Sequence, residues 1–214
     1  MSGVKAVFLD AGGVLVLPDA EVIVAELRAE GIEIDDASMT RAHYLGMRAV
    51  DGADAFSWSF YNHAYVDELG VRDEGVEAAR RAVDRAFARM EWDQPIAESM
   101  EALPQLETQV ALAVVSNSDG TVEDILRRRD VTIPTIIDSH HVGVAKPDPA
   151  IFQLALEALA VDANEAIHVG DSVRFDVEGA RAAGVRPLHF DPFRLCALDD
   201  HEHIGSLTEV LESV

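Results

Sequence analysis

Residues 4–17 read VKAVFLDAGGVLVL. Val4 to Leu9 is nearly continuous apolar and ends in Asp10. A strand with one wet face would alternate apolar and polar residues. An unbroken apolar run of this length fits a parallel strand covered on both faces. The glycine-rich AGGV and Pro18 follow it.

Outward from that strand, the pattern changes twice. From about Asp19 to Trp92 the spacing is helical throughout. DAEVIVAELRAEG closes on Gly31, and DDASMTRAHYLGMRAV offers Asp36 or Ser38 as N-cap. AFSWSFYNHAYVDELG ends at Gly70, with Trp58, Phe60 and Tyr61 expected in a bundle core. DEGVEAARRAVDRAFARM sets Val76, Ala79, Val83, Ala86, Phe87 and Met90 on one face. Four such helices make a small bundle.

Beyond residue 93, strands and helices alternate. A helix is expected from Gln94 or Pro95, then the strand VALAVV at 110–115. Thr121 and Asp124 stand at capping-box spacing at the next helix start. IPTIID follows, then a helix opened by Asp148 and Pro149. AIHV at 166–169 is a strand, Val173–Ala183 a helix closed by Gly184, RPLHF the last strand and SLTEVLESV a terminal helix. This rhythm predicts a doubly wound parallel sheet interrupted after its first strand by the helical block. The expected domains are 1–17 with 94–214, and 18–93.

Composition narrows the classes. Hydrophobic residues make up 49% of the 214, too many for a disordered chain. The net charge of −22 repels nucleic acid and anionic lipid, so neither is expected as a partner. It also repels phosphorylated molecules at long range, so any phosphate site must be built locally. No run of about 18 apolar residues spans a membrane. The first apolar stretch carries Asp10 and two glycines and makes a poor signal peptide. The single thiol, Cys196, forms no intrachain disulfide, and without a CxxC it excludes a zinc knuckle; a cytoplasmic location fits. Lys5 and Lys146 are the only lysines among 17 basic residues, which hints at a needed ammonium.

Ligands of open parallel sheets sit beyond the carboxyl ends of the strands. The polar residues expected there are Asp10, Ser116, Asn117, Gly170 and Asp171, with Lys146 in a nearby loop. Singly, each is a plausible turn or cap residue. Together they bring carboxylates, a hydroxyl, an amide and an ammonium to one edge, a set that suits a hard cation plus an anion.

In this order the segments VFLDAGGVL, VVSNS, GVAKPDPAIF and HVGDSVRFDVEGARAAG resemble the four motifs of the haloacid dehalogenase superfamily. The resemblance implies a Rossmann-like α/β core, with the helical block as an inserted cap of the helical-bundle type. It implies that Asp10 is a nucleophile forming an aspartyl-phosphate. Ser116 and the backbone near Asn117 would hold phosphoryl oxygens, and Lys146 would neutralise charge. Asp10, the Gly12 carbonyl, Asp171 and Asp176 would hold Mg²⁺. A small phosphorylated metabolite is the implied substrate, and a monomer or homodimer the implied assembly.

One position departs from the family pattern. Its phosphatases carry a second Asp two residues after the nucleophile, where this chain has Gly12. Glycine keeps the carbonyl but supplies no acid or base. Such catalysis is typically worth about 10²–10⁴ in rate, or roughly 3–5 kcal/mol of barrier. His43 or His63 from the helical block is a candidate replacement, and Arg41 or Arg48 a candidate anion contact. Two alternatives stay open. A 2-haloacid dehalogenase also uses an Asp nucleophile, lacks the second Asp and needs no metal. A non-enzymatic binding protein would keep the fold alone.

Overall fold

The computed structural model describes residues 3–34, 38–54, 57–90 and 92–214. It divides into two compact units: Met1–Val16 with Pro95–Val214, and Leu17–Gln94. In chain order the strands are β1 (Ala6–Leu9), β2 (Val16–Leu17), β3 (Gln94–Pro95), β4 (Ala111–Ser116), β5 (Thr135–Asp138), β6 (Ala166–Gly170), β7 (Arg186–Phe190) and β8 (Glu202–Ile204). The helices are α1 (Ala20–Ala29), α2 (Met39–Asp51), α3 (Trp58–Glu68), α4 (Val76–Phe87), α5 (Ala97–Glu107), α6 (Val122–Arg128), α7 (Ser139–Val142), α8 (Pro149–Leu159) and α9 (Glu178–Ala182).

The first unit is a six-stranded sheet of order β5-β4-β1-β6-β7-β8, with every pairing parallel. The opening strand therefore lies inside the sheet. Phe8 and Ala6 pack with Ile151, Phe152, Ala155 and Leu156 of α8. Alternation sends Val7 and Leu9 to the opposite face, where they too are fully buried. This two-sided burial is why the strand reads as an unbroken apolar run.

Asp148 caps α8, its carboxylate accepting from the Ala150 N–H at 2.9 Å, with Pro149 in the first turn as expected. Thr121 precedes α6 but forms no capping box; its hydroxyl donates to Asp119 Oδ1 at 2.6 Å instead. Gln94–Pro95 is strand rather than helix, because it pairs with Val16–Leu17 where the chain leaves and re-enters the first unit. RPLHF is not the last strand: Glu202–Ile204 pairs with it in parallel. The terminal segment is a 3₁₀ helix, Leu207–Glu212.

The second unit holds α1 to α4. Tyr61, Asn62, Tyr65 and Val66 form the buried face of α3. Trp58 and Phe60 do not belong to that core: they are 49% and 44% exposed. Trp58 begins the helix, and Phe60 lies a residue off the buried stripe. On α4, Ala79, Ala82, Val83 and Ala86 are buried, while Val76 and Phe87 are half-buried, as is Met90 beyond its end. Ser38 stands at the N-cap of α2; Asp36 lies outside the described residues. Among the described residues no helix is long and apolar enough to cross a membrane.

Candidate active site

The parallel order brings the carboxyl ends of β4, β1 and β6 side by side. Asp10 follows β1, and its backbone N–H donates to the Val169 carbonyl at 2.9 Å, which ties it to β6. Its side chain is split between two donors. Oδ1 accepts from the Ala11 N–H at 2.7 Å, and Oδ2 meets Lys146 Nζ at 2.7 Å. Lys146 Nζ also lies 2.6 Å from Asp176 Oδ1. One buried ammonium thus bridges two carboxylates.

Lys146 is held there by Asn117. The amide oxygen accepts from Lys146 N–H at 2.8 Å, and the amide nitrogen donates to Lys146 C=O at 3.0 Å. The Asn117 side chain is therefore a positioning group for Lys146, and its amide is already occupied. Ser116 is the buried last residue of β4, two beyond Val114, which pairs with Leu9.

Asp176 sits in a wide π-helical turn, Val173–Val177, after β6. Such turns recur at functional sites because they displace a side chain from the regular helical path. The turn folds back on itself: Ser172 Oγ accepts from Phe175 N–H, and Asp176 Oδ2 accepts from Ser172 N–H, both at 3.1 Å. Gly170 makes room for this. A Cβ there would stand 2.1 Å from Asp176 Cγ.

His168, inside β6, completes the cluster. Its Nε2 lies 2.8 Å from Asp176 Oδ1, and its ring packs edge-on to Phe152 at 4.9 Å. Its Nδ1 is buried with no hydrogen-bond partner, so the ring's hydrogen bond runs through Nε2 alone. The sequence reading missed this residue. Its signal was present, a histidine in an otherwise apolar strand immediately before the GDS turn.

Electrostatics follow from this crowding. Burial pushes the Asp10 carboxyl above its ordinary range; Lys146 opposes the shift and Asp176 adds to it. Burial alone would likewise raise Asp176, but Lys146 and His168 outweigh it and hold that group well below the usual carboxylate range. For Lys146, burial disfavours the charge, yet Asp10 and Asp176 more than offset it and its pKa is raised. Asp171 joins Asp10 and Asp176 in a group whose oxygens lie within 4.8 Å of one another. Three carboxylates against one ammonium leave two negative charges. An all-oxygen set with that excess fits a hard dication such as Mg²⁺.

The second unit places the remaining candidates. His43 is buried in α2, with Nδ1 2.9 Å from Tyr61 Oη and its ring edge-on to Tyr44, Tyr61 and Trp92. It lines a small cavity of about 60 Å³ with Thr40, Tyr65 and Gln94. Arg41 is paired with Glu68. His63 is exposed on α3. Of the two lysines, only Lys146 is site-building; Lys5 forms a surface pair with Glu165 at 2.6 Å.

A parallel sheet whose inner strand ends in a lysine-bridged carboxylate, beside two further aspartates, defines a class of doubly wound hydrolases. The chain belongs to the haloacid dehalogenase-like hydrolases, matching that family over residues 4–184. It is 34% identical over 143 residues to a phosphoserine phosphatase of Thermus thermophilus, a match covering 64% of this chain and 57% of that one. The chain thus spans less than two thirds of that relative. Among solved structures it resembles a magnesium-bound HAD-hydrolase, YfnB of Bacillus subtilis, with TM-score 0.67 and 16% identity over 99% of this chain and 98% of the other. A 2-haloacid dehalogenase of Pseudomonas syringae aligns with TM-score 0.60 and 24% identity over 98% and 97%. At such identities the two structures speak to the fold alone.

Proposed function

We propose that this hydrolase is a Mg²⁺-dependent phosphatase acting on a small phosphorylated metabolite through an aspartyl-phosphate on Asp10. The observation that carries the reading is the Lys146 ammonium between Asp10 and Asp176, with Asp171 in the same oxygen cluster. In a metal-free dehalogenase the Asp171 carboxylate would be unneeded, and a carboxylate near an anionic nucleophile is unfavourable without a cation. The phosphatase relative points the same way.

Asp10 attacks phosphorus with a carboxylate oxygen, forming the O–P bond as the alcohol oxygen leaves with the electron pair. Water then attacks phosphorus, the Asp10 O–P bond breaks, and inorganic phosphate leaves with the free carboxylate restored; the proton the water loses balances the one the alcohol takes up. Asp10 must be ionised to begin, which burial resists and Lys146 favours. Ser116 Oγ and the backbone near Asn117 hold phosphoryl oxygens. Asp10, Asp171, Asp176 and the Gly12 carbonyl would hold Mg²⁺, which when bound offsets carboxylate and phosphoryl charge. Gly12 gives the leaving oxygen no proton, so aryl, enol or acyl phosphates outrun alkyl ones unless His43 supplies it. Residues 18–93 act as the substrate-selecting cap, with Arg41 as a candidate anion contact. The single cysteine accords with a cytoplasmic location.

The test is a screen of phosphorylated metabolites, aryl phosphates and 2-haloacids, with Mg²⁺ and with EDTA, plus trapping of labelled phosphate on Asp10. Mg²⁺-dependent phosphate release with label lost in Asp10→Asn is expected. Chloride release in EDTA, or full phosphatase turnover in EDTA, overturns the reading.

A further inference from the structure

A second cluster of ligating atoms lies in the first unit, outside the oxygen cluster. His189 of β7 pairs in register with His203 of β8, so both side chains project from the same sheet face. His201 immediately precedes β8, and its Nε2 comes to 3.0 Å from His189 Nδ1. Asp191 bends the connecting loop: its carboxylate oxygens accept from the Leu195 and Cys196 N–H groups at 2.8 and 2.9 Å. That bend turns Cys196 back, with Sγ 3.9 Å from His201 Nε2. The ligand atoms of His189, Cys196, His201 and His203 all lie within 4.8 Å of one another.

The tautomers settle what these atoms face each other with. His189 Nε2 lies 3.3 Å from the Asp171 carbonyl, His201 Nδ1 2.6 Å from Asp200 Oδ1, and His203 Nε2 3.0 Å from the Leu198 carbonyl. Each partner is an acceptor, so each of these outer nitrogens carries the hydrogen. The inner nitrogens converge on one another and on Cys196 Sγ. His189 Nδ1 and His201 Nε2 stand 3.0 Å apart, and His203 Nδ1 is 3.5 Å from Asp191 Oδ2. An inner nitrogen that carries no hydrogen offers its lone pair to a cation.

We propose that His189, Cys196, His201 and His203 form a structural site for a borderline-soft divalent cation, zinc above all. Zn–N bonds of about 2.0–2.1 Å and a Zn–S bond of about 2.3 Å put tetrahedral N···N separations near 3.3 Å and N···S near 3.6 Å. The 3.0 and 3.9 Å separations need only small adjustments to reach them. Imidazole and thiolate donors select zinc over magnesium, whereas the oxygen cluster does the reverse. The outer acceptors Asp200, Leu198 and Asp171 orient the rings, as in metal sites generally. The site ties the β7–β8 connection to itself and, through the Asp171 carbonyl, to the loop after β6.

The test uses the full chain, stripped with chelator, desalted and titrated with Zn²⁺ in excess Mg²⁺. One tightly retained zinc per chain is expected by elemental mass spectrometry. Co²⁺ in place of zinc is expected to give tetrahedral visible bands and a thiolate charge-transfer band in the wild type. Cys196→Ser removes the charge-transfer band. Asp200→Ala weakens zinc binding about 10–100-fold. Asp10→Asn keeps both zinc and band. Circular dichroism checks that each variant is folded, and the wild-type cobalt spectrum depends on no variant. No retained zinc in the wild type, a charge-transfer band surviving Cys196→Ser, or zinc lost with Asp10→Asn and kept in Cys196→Ser would overturn the proposal.

Discussion

Two clusters of ionisable side chains occupy neighbouring strand ends of one sheet and are built on opposite chemical principles. Around Asp10 the donors are oxygens, the charges are formal and buried, and Lys146 joins Asp10 to Asp176. Around His189 the donors are ring nitrogens and one sulfur, with every ring oriented by an outside acceptor. The first is costly to assemble without opposite charge. The second costs little charge burial until its thiol ionises. A shared sheet edge therefore does not dictate a shared cation; donor type does.

Several perturbations break or sharpen that contrast. The largest effect falls on Asp10→Asn, which should abolish turnover and covalent phosphate while leaving zinc content intact. Retained turnover in this variant would mean the oxygen cluster is not the chemical centre. Gly12→Asp should accelerate alkyl phosphate hydrolysis by about 10²–10⁴. The neighbouring Gly13, with φ 73°, is the glycine the turn itself requires. No gain in a folded variant would show that the proton already comes from elsewhere.

Lys146→Met removes the bridging ammonium and leaves two buried carboxylates facing each other. A loss of about 3–5 kcal/mol in urea unfolding at pH 7 is expected without metal, and a loss near zero would deny the cluster its charge-bearing character. Gly170→Ala should cost about 1–3 kcal/mol, because its Cβ meets Asp176 and forces the π-helical turn outward. Unchanged stability and activity would show that the turn has slack.

The smallest effect concerns pH. The folded-state pKa of Asp176 lies below the ordinary value. Its ionised form therefore stabilises the fold fully above about pH 4, and that contribution fades as pH falls further. The stability gap between wild type and Asp176→Asn, in chelator, should shrink from pH 7 toward pH 2. A constant gap would contradict it.

Legibility in the sequence followed the distance over which a signal acts. The opening strand and its terminal Asp10 were readable because two-sided burial leaves a continuous apolar run. Asp148–Pro149 was readable because a cap is local. His168 escaped because a lone histidine in a strand says nothing until Asp176 is known to fold over Gly170. The His189 cluster escaped for a related reason. A search for paired thiols finds nothing, and β8 itself went unread, so the register joining His189 to His203 was out of reach. Trp58 and Phe60 were misplaced because aromatic character suggests burial while helix phase decides it.

The order of strands has a consequence for synthesis. Ala6 must wait for Ala111 and then Ala166 before either flank of β1 is covered. At about 5–20 residues per second, translation leaves this apolar segment without its first partner for roughly 5–20 s. During that interval the nascent chain carries a sticky ribbon, and the helical segment made next is what emerges beside it. Shortening the insert would hasten the closure; slowing the ribosome within it would raise the demand for chaperones.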